Sequence, residues 1–306
     1  MSDISVGADL ATATGPVDYY HLPSDADGRL LYFTYFPINA APEIAAAVYL
    51  LTTIVLAIQT HRAGAQRWLY ILSGTALAEC LGYGFRTACV YHTTFGLFVL
   101  MTLFLLLPPN ALALVNYKTL GEIIRTSNVE PRRFWLRPRF VTWFFFASDL
   151  FSIAMQGTGG GMSTSESLQT PAKAIALIGL CVQLVFFACF FFIAVYVWCR
   201  AEYVVSMGKY DRDGAEAKTK VMRVVVGTTV VLYLRSIYRV AEFADGYASP
   251  VYRAEWAFYV FDTIFIFMTF AIYCLWFIGH NFVRNKALTD SSTELVAAGT
   301  ASRLEA

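Results

Sequence analysis

Charge is scarce in this chain. Asp, Glu, Lys and Arg make up 15% of its 306 residues, where a soluble domain carries about 25%. With 57% hydrophobic residues and a mean hydropathy of +0.53, this excludes an ordinary water-soluble domain and points to an integral membrane protein. The net charge is +1, so there is no basic surplus of the kind that attracts nucleic acid. The six cysteines (Cys80, Cys89, Cys181, Cys189, Cys199, Cys274) fall in or at the ends of apolar runs, without metal-ligand spacing. They read as packing residues and exclude a disulfide framework. There are four histidines, His21, His61, His92 and His280; His92 is expected at the outer end of the bundle and His61 and His280 at the inner end, so they cannot converge on one metal. No metal and no cofactor, haem included, is expected. No Gly-x-x-x-x-Gly-Lys-Ser/Thr segment occurs, which excludes a P-loop nucleotide site. Residues 1–38 contain no basic n-region followed by an apolar core, so the first apolar helix is expected to act as the targeting signal.

What the chain has is seven apolar runs, at about 39–60, 67–90, 93–117, 139–157, 172–199, 222–245 and 254–280. Each matches the roughly 20 residues that cross a bilayer as a helix. No ten-residue alternation of a membrane barrel is present. The expected fold class is therefore an all-α integral membrane protein, a bundle of seven transmembrane helices. The expected division is an acidic extracellular tail over 1–38, the membrane domain over 39–282 and a cytosolic disordered tail over 283–306. Orientation follows from Lys and Arg: the two alternating sets of flanking segments carry 17 and 3 of them. The basic side belongs in the cytosol, which puts the N-terminus outside and the C-terminus inside.

Within the runs, polar residues recur at helical spacing. Leu234 to Glu242 places Arg235, Tyr238, Arg239 and Glu242 on one face, because residues three and four apart are helical neighbours. The second run carries Glu79, Tyr83 and Arg86; the fourth Asp149, Ser152 and Gln156; the fifth Gln183; the seventh Glu255, Tyr259 and Asp262. Charges at membrane depth cost roughly 2.5–3.5 kcal/mol each on insertion scales and mark functional sites by default. Lipid offers them no partners, so the polar faces of helices two, four, six and seven are expected to turn toward one another around a charged cavity in the outer half of the bundle. Three arginines meet a larger number of carboxyls there. Either one or two carboxyls hold protons, or the cavity takes a cationic ligand. A set of ion pairs that only holds the bundle together is the structural alternative.

Two further features concern backbone. Pro108 and Pro109 lie inside the third run, where they remove backbone donors and should kink the helix in its inner half; they are the candidate hinge. Gln156-Gly157-Thr158-Gly159-Gly160-Gly161 follows no strand and is not a nucleotide-binding loop. It is expected to turn the chain at the outer mouth.

Several of these segments together resemble a known family. They are Glu79-x-x-Gly82-Tyr83-x-x-Arg86, Pro108-Pro109 through Tyr117-x-x-Leu120-Gly121, Asp149-x-x-Ser152-x-x-x-Gln156-Gly157, Gly179-Leu180-x-x-Gln183, Arg235-Ser236-Ile237-Tyr238-Arg239-Val240-x-Glu242-x-x-x-Gly246 and Glu255-x-x-x-Tyr259-Val260-Phe261-Asp262. Over about residues 40–282 the chain resembles the fungal RTA1-like family, also called lipid-translocating exporters. The resemblance implies a plasma-membrane or endomembrane protein without an ATP-binding domain. It implies association with resistance to toxic amphiphiles, with release of sphingoid long-chain bases and with porphyrin handling. Members often close helix seven with His-Pro, where this chain reads His280-Asn281, which leaves a sharp stop there without its proline.

The functional expectation is a translocator of membrane lipids or amphiphilic small molecules (a sphingoid base, a sterol-like or a porphyrin-like compound) with the headgroup in the charged cavity. Two alternatives stand beside it. One is a seven-helix lipid sensor, although Asn116-Tyr117-Lys118 replaces an Asp-Arg-Tyr box and no Asn-Pro-x-x-Tyr occurs. The other is a membrane-embedded lipid-modifying enzyme using carboxyls as acid and base; no nucleophile or metal set accompanies them, and no catalytic residue is assigned. Oligomeric state is left open.

Overall fold

A computed structural model describes residues 40–91, 94–127, 137–162, 168–203, 211–245 and 255–282. The expectations for the tails, 1–38 and 283–306, and for His21, His92 and Gly246 lie outside the described residues. Seven long helices are found: α1 (Ala40–Arg62), α2 (Tyr70–Tyr91), α3 (Phe95–Thr126), α4 (Pro138–Met162), α5 (Gln169–Cys199), α6 (Asp211–Asp245) and α7 (Glu255–Leu275). Five of them, α1, α3, α5, α6 and α7, are long and apolar enough to cross a membrane. The other two, α2 and α4, carry the intramembrane carboxyls Glu79 and Asp149 and are of similar length, 22 and 25 residues.

The chain is turned inside out relative to a soluble protein. Phe192 is 71% and Leu275 73% exposed, while Glu79 is 0%, Asp262 1% and Arg86 3% exposed. Contiguous apolar surface of this kind needs an apolar solvent. An all-α integral membrane bundle is therefore the fold, as the seven runs indicated.

Helix ends follow local chemistry. Pro42 and Glu43 sit in the first turn of α1, and His61 and Arg62 in its last, each where the free backbone groups and the helix dipole favour them. At its end Gly64 takes φ 56°. The amides of Ala65 and Gly64 then return to the carbonyls of Thr60 (3.3 Å) and His61 (3.1 Å). That is a Schellman stop, which requires a residue tolerant of the left-handed conformation. A short 3₁₀ turn, Arg67–Leu69, leads into α2.

Sequential helices pack on one another, and α7 returns to α1 and α6. The third helix touches α2, α4, α5 and α6 and so lies between the two ends of the ring. It is helical without interruption through Pro108 and Pro109. The carbonyls four residues before the prolines, those of Phe104 and Leu105, lie where proline rings crowd a helix. A glycine faces that spot: a Cβ on Gly82 would meet Leu105 Cδ2 at 2.8 Å and the Phe104 carbonyl carbon at 3.2 Å. The glycine of α2 thus lets this turn of α3 approach closely.

The glycine-rich run corrects an expectation. Gly157, Gly159, Gly160 and Gly161 do not turn the chain; they are the last turns of α4, which ends at Met162. Gly159 has a packing role, since a Cβ there would stand 2.6 Å from the Ala172 carbonyl oxygen and 2.8 Å from Ala176 Cβ of α5. Gly179 of α5 reciprocates against Met155 Cβ (2.7 Å) and Ser152 O (3.0 Å). Small residues let membrane helices approach closely, and that need outweighs the poor helix propensity of glycine.

The seventh helix holds a feature without a sequence signal. Tyr259–Thr263 forms one π turn between α-helical Glu255–Phe258 and Ile264–Leu275. The helix stops at Leu275, and a 3₁₀ turn Ile278–Asn281 follows. The stop is thus made without the family's proline. Packing of Gly279 on Phe277 and Ala65, and a bond from the Gln66 amide to the Phe282 carbonyl (3.0 Å), tie this end to the α1–α2 connection.

Candidate functional site

The polar residues that periodicity placed on helix faces are buried, save Tyr238, Arg239 and Tyr259, which are partly so, and the bundle divides them into two groups. Here the structure corrects the single ring of faces: α4 turns its polar face to α5 and α3, and not to α2, α6 and α7. The reason is that α3 stands between α2 and α4 and brings its own polar partners, Asn110 and Tyr117.

The first group joins α1, α2, α6 and α7 and is built on three arginines. Arg86 Nη2 donates to Glu255 Oε1 at 3.1 Å, and its Nε donates to the Tyr259 hydroxyl at 3.2 Å. Its guanidinium also lies 4.6 Å from the centre of the Phe258 ring, a cation–π contact. Arg235 Nη2 is 2.8 Å from Asp262 Oδ1, an ion pair between α6 and α7, yet no N–H is aligned on that oxygen. Arg239 Nη1 donates to Glu242 Oε2 at 2.8 Å along α6, and Glu242 lies within electrostatic reach of Arg235 and Asp262. Tyr238 is half-buried and stacks on Phe261, 5.0 Å between ring centres.

The π turn is held from two sides. The Tyr49 hydroxyl donates to the Thr263 carbonyl (2.8 Å), and the Tyr83 hydroxyl shares a hydrogen bond with Thr263 Oγ1 (2.6 Å). The two tyrosines stack face to face at 5.5 Å. Against this assembly lies Glu79. It is wholly buried, and neither carboxyl oxygen has a hydrogen-bond partner among the described residues. Asp262, Arg235, Tyr49 and Tyr83 are the ionisable groups within its electrostatic reach. Among the described residues four carboxyls therefore meet three arginines, and the one without an arginine at ion-pair distance is Glu79. Glu43, near the start of α1, is exposed and accepts from the Tyr91 hydroxyl at 3.5 Å.

The second group joins α3, α4 and α5 and is mostly neutral. Gln183 Nε2 donates to Asn110 Oδ1 at 2.6 Å, and Gln156 Nε2 to Gln183 Oε1 at 3.1 Å. Ser152 donates to the Gly179 carbonyl at 2.6 Å, and Asn110 Nδ2 to the Leu106 carbonyl at 2.8 Å. Nearby, the Tyr117 hydroxyl donates to Asp149 Oδ2 at 2.9 Å, with the tyrosine ring among Phe145, Phe187 and Phe190. Asp149 Oδ1 has no hydrogen-bond partner among the described residues.

A smaller knot in α3, α6 and α7 was missed by sequence reasoning. Asn116 Oδ1 accepts from the Tyr273 hydroxyl and from Thr228 Oγ1 (3.0 Å), and Asn116 Nδ2 donates to Thr229 Oγ1 (3.2 Å). An asparagine inside an apolar run was the available signal. Tyr49 and Thr263 were missed as well, and each alone reads as an ordinary helix residue. Among the described residues no cluster of His, Cys, Asp and Glu could hold a metal ion.

Comparison with known proteins agrees with the motifs. The family model described as RTA1 like protein matches residues 72–285. Protein RTA1 of Saccharomyces cerevisiae is 27% identical over 206 residues, 65% of this chain and 62% of that protein. Protoporphyrin uptake protein 1 of the same yeast is 25% identical over 170 residues, 55% of this chain and 54% of that protein. The probable lipid transporter atnI of Emericella nidulans is 25% identical over 261 residues, 76% of this chain and 63% of that protein. The matched part thus spans less than two thirds of the length of each of these relatives. No solved structure matches the chain.

Proposed function

The chain belongs to the RTA1-like family, and on that premise we propose that it moves a lipid or other amphiphile across the membrane, with the headgroup in the charged cluster of α1, α2, α6 and α7. The observation that carries this reading is the cluster's composition: Arg86 and Arg235, buried, and Arg239, partly buried, face four buried carboxyls, so among the described residues the site holds one more acid than base. A purely structural set of ion pairs would match its charges, because an unmatched buried charge is costly. The surplus fits a cationic headgroup, and a long-chain amine of the sphingoid type is the favoured substrate over sterol-like or porphyrin-like ones. Two of the relatives, named as a probable lipid transporter and a protoporphyrin uptake protein, are in keeping with amphiphile transport.

In this reading Arg86, Arg235 and Arg239 hold Glu255, Asp262 and Glu242 ready, Tyr83, Tyr238 and Tyr259 line the site, and the acyl tail stays in lipid. Asp149, Gln156 and Gln183 belong to the scaffold. The Lys and Arg distribution orients the cluster toward the outer leaflet, with the N-terminus outside. The plasma membrane is the proposed location, an endomembrane the alternative. Movement is assigned to the π turn of α7, since such turns occur at functional sites, with Pro108 and Pro109 of α3 as the second hinge.

The test is purified protein in liposomes, with a fluorescent long-chain amine and separately a fluorescent phospholipid placed in one leaflet. Loss of signal to a leaflet-impermeant quencher is timed, and the lipid is recovered and weighed by mass spectrometry. Faster crossing of the amine than in empty liposomes, abolished by Arg235→Ala, is the expected result. Equal rates with and without protein would end the transport reading for these substrates. A changed lipid mass would replace it with an enzyme.

A further inference from the structure

We propose that Glu79 is a proton-exchange site: it carries a proton when the headgroup site is empty and gives that proton up when a cationic headgroup arrives. This rests on the reading above that the headgroup is an amine, and it adds the coupling ion.

The argument starts from the pairing of charges. Glu255 has Arg86 at 3.1 Å, Asp262 has Arg235 at 2.8 Å and Glu242 has Arg239 at 2.8 Å. Glu79 has no arginine and no donor on either oxygen among the described residues. A carboxylate that is wholly buried without a donor is far less stable than the neutral acid, so the resting group holds the proton itself.

Among the described residues the surroundings offer no other group for that role. From α1 it is faced by Tyr49; on its own helix by Tyr83 and Arg86; from α6 by Arg235, with Arg239 and Glu242 beyond; from α7 by Asp262, with Tyr259 and Glu255 beyond. The third helix brings no ionisable side chain between Phe95 and Asn116. The phenols of Tyr49 and Tyr83 are committed to Thr263. Glu79 is therefore the group whose charge can change without breaking an ion pair.

The exchange balances. A protonated Glu79 and an ammonium headgroup become a carboxylate–ammonium pair plus one proton released to water. The charge of the site is +1 before the proton leaves, with the ammonium in place, and zero afterwards. The cluster is neutral before the headgroup arrives and again after the proton leaves, and the unmatched charge exists only in between. Glu79 lies seven residues from Arg86 along α2, about 10 Å deeper in the bundle. A headgroup entering from the Arg86–Glu255 end thus passes the ion pairs before it reaches the acid that must deprotonate.

The experiment uses the purified full chain in detergent at low buffer strength, titrated with a long-chain primary amine. Binding is followed by equilibrium partition of radiolabelled amine, and proton release by a pH indicator. The N-acylated neutral analogue serves as control. The native protein is expected to release about one proton per amine bound and none with the analogue. Its apparent amine affinity should rise about tenfold per pH unit over roughly pH 6 to 8, as one-for-one exchange requires. Glu79→Gln should release no proton. The pH series on the native protein keeps the test decisive even if that variant fails to fold. Amine binding without proton release, pH-independent affinity, or release that persists in Glu79→Gln would overturn the exchange and leave the transport reading standing. Absence of amine binding to the native protein would overturn the transport reading for amines, and the exchange with it.

Discussion

The two buried polar groups of this bundle are made of different materials. The α3–α4–α5 group is built mainly of amides and a hydroxyl that satisfy one another, Asn110, Gln183, Gln156 and Ser152 in sequence, beside a single carboxyl, Asp149, that Tyr117 meets at Oδ2 and that is open at Oδ1 among the described residues. The α1–α2–α6–α7 group is built of charges and leaves Glu79, Arg235 Nε and Asp262 Oδ1 without an aligned hydrogen bond among the described residues. A neutral network that closes on itself glues helices together and asks for nothing further. A charged network with unused hydrogen-bonding capacity is stable only when something else completes it. The difference separates scaffold from site more sharply than burial does, since both groups contain buried polar residues.

The largest effect should come from breaking the charged group. Arg235→Ala leaves Asp262 buried without its cation, which costs about 3–5 kcal/mol and should appear as a large fall in the thermal midpoint in detergent. Adding Asp262→Ala removes the orphaned charge and should restore most of that stability, but not lipid crossing. Recovery of crossing in the double variant would mean that the ion pair is only structural, and the contrast between the two groups would vanish.

The second effect belongs to the scaffold side. Gly159→Ala places a methyl 2.6 Å from the Ala172 carbonyl oxygen, a backbone atom that cannot swing away. Overpacking of this kind costs about 1–3 kcal/mol. The variant should lose stability while each folded molecule keeps its transport rate. Asn110→Leu is milder. It leaves the Gln183 amide without its 2.6 Å acceptor and should cost about 1–2 kcal/mol, again with transport per folded molecule unchanged. A transport defect in either variant that exceeded its loss of folded protein would move the neutral network into the site.

The sequence carried the seven helices plainly, because apolar length is a strong signal and helical periodicity placed Glu79, Tyr83 and Arg86 on one buried face. It also carried the identity of most charged partners. What it did not carry was which face meets which. Asp149 and Gln156 lie on a face as polar as that of Glu79 and Arg86, and only the position of α3 between α2 and α4 sends them elsewhere. The glycine run was misread for a related reason. Glycine signals a turn when its backbone freedom matters, and it signals close packing when a neighbouring helix occupies the space of its missing side chain. Only the contact of Gly159 with Ala172 and Ala176 distinguishes the two. The π turn at Tyr259–Thr263 has no glycine or proline to announce it.

The smallest effect is the most informative about that turn. Tyr83→Phe removes one hydroxyl from Thr263 and should cost about 1 kcal/mol, with the Tyr49 stack intact. Tyr49→Phe removes the donor to the carbonyl of the same residue and should cost a similar amount. If both hydroxyls hold one strained turn, either bond alone keeps it in place, and the double variant should lose more than the sum of the two. Thermal unfolding of the four proteins gives the coupling directly, and contacts sharing a partner typically show 0.5–3 kcal/mol, as an order of magnitude. A coupling near zero would mean that each tyrosine merely packs. The π turn would then stand by itself, and the site would have to borrow its mobility from the prolines of α3 instead.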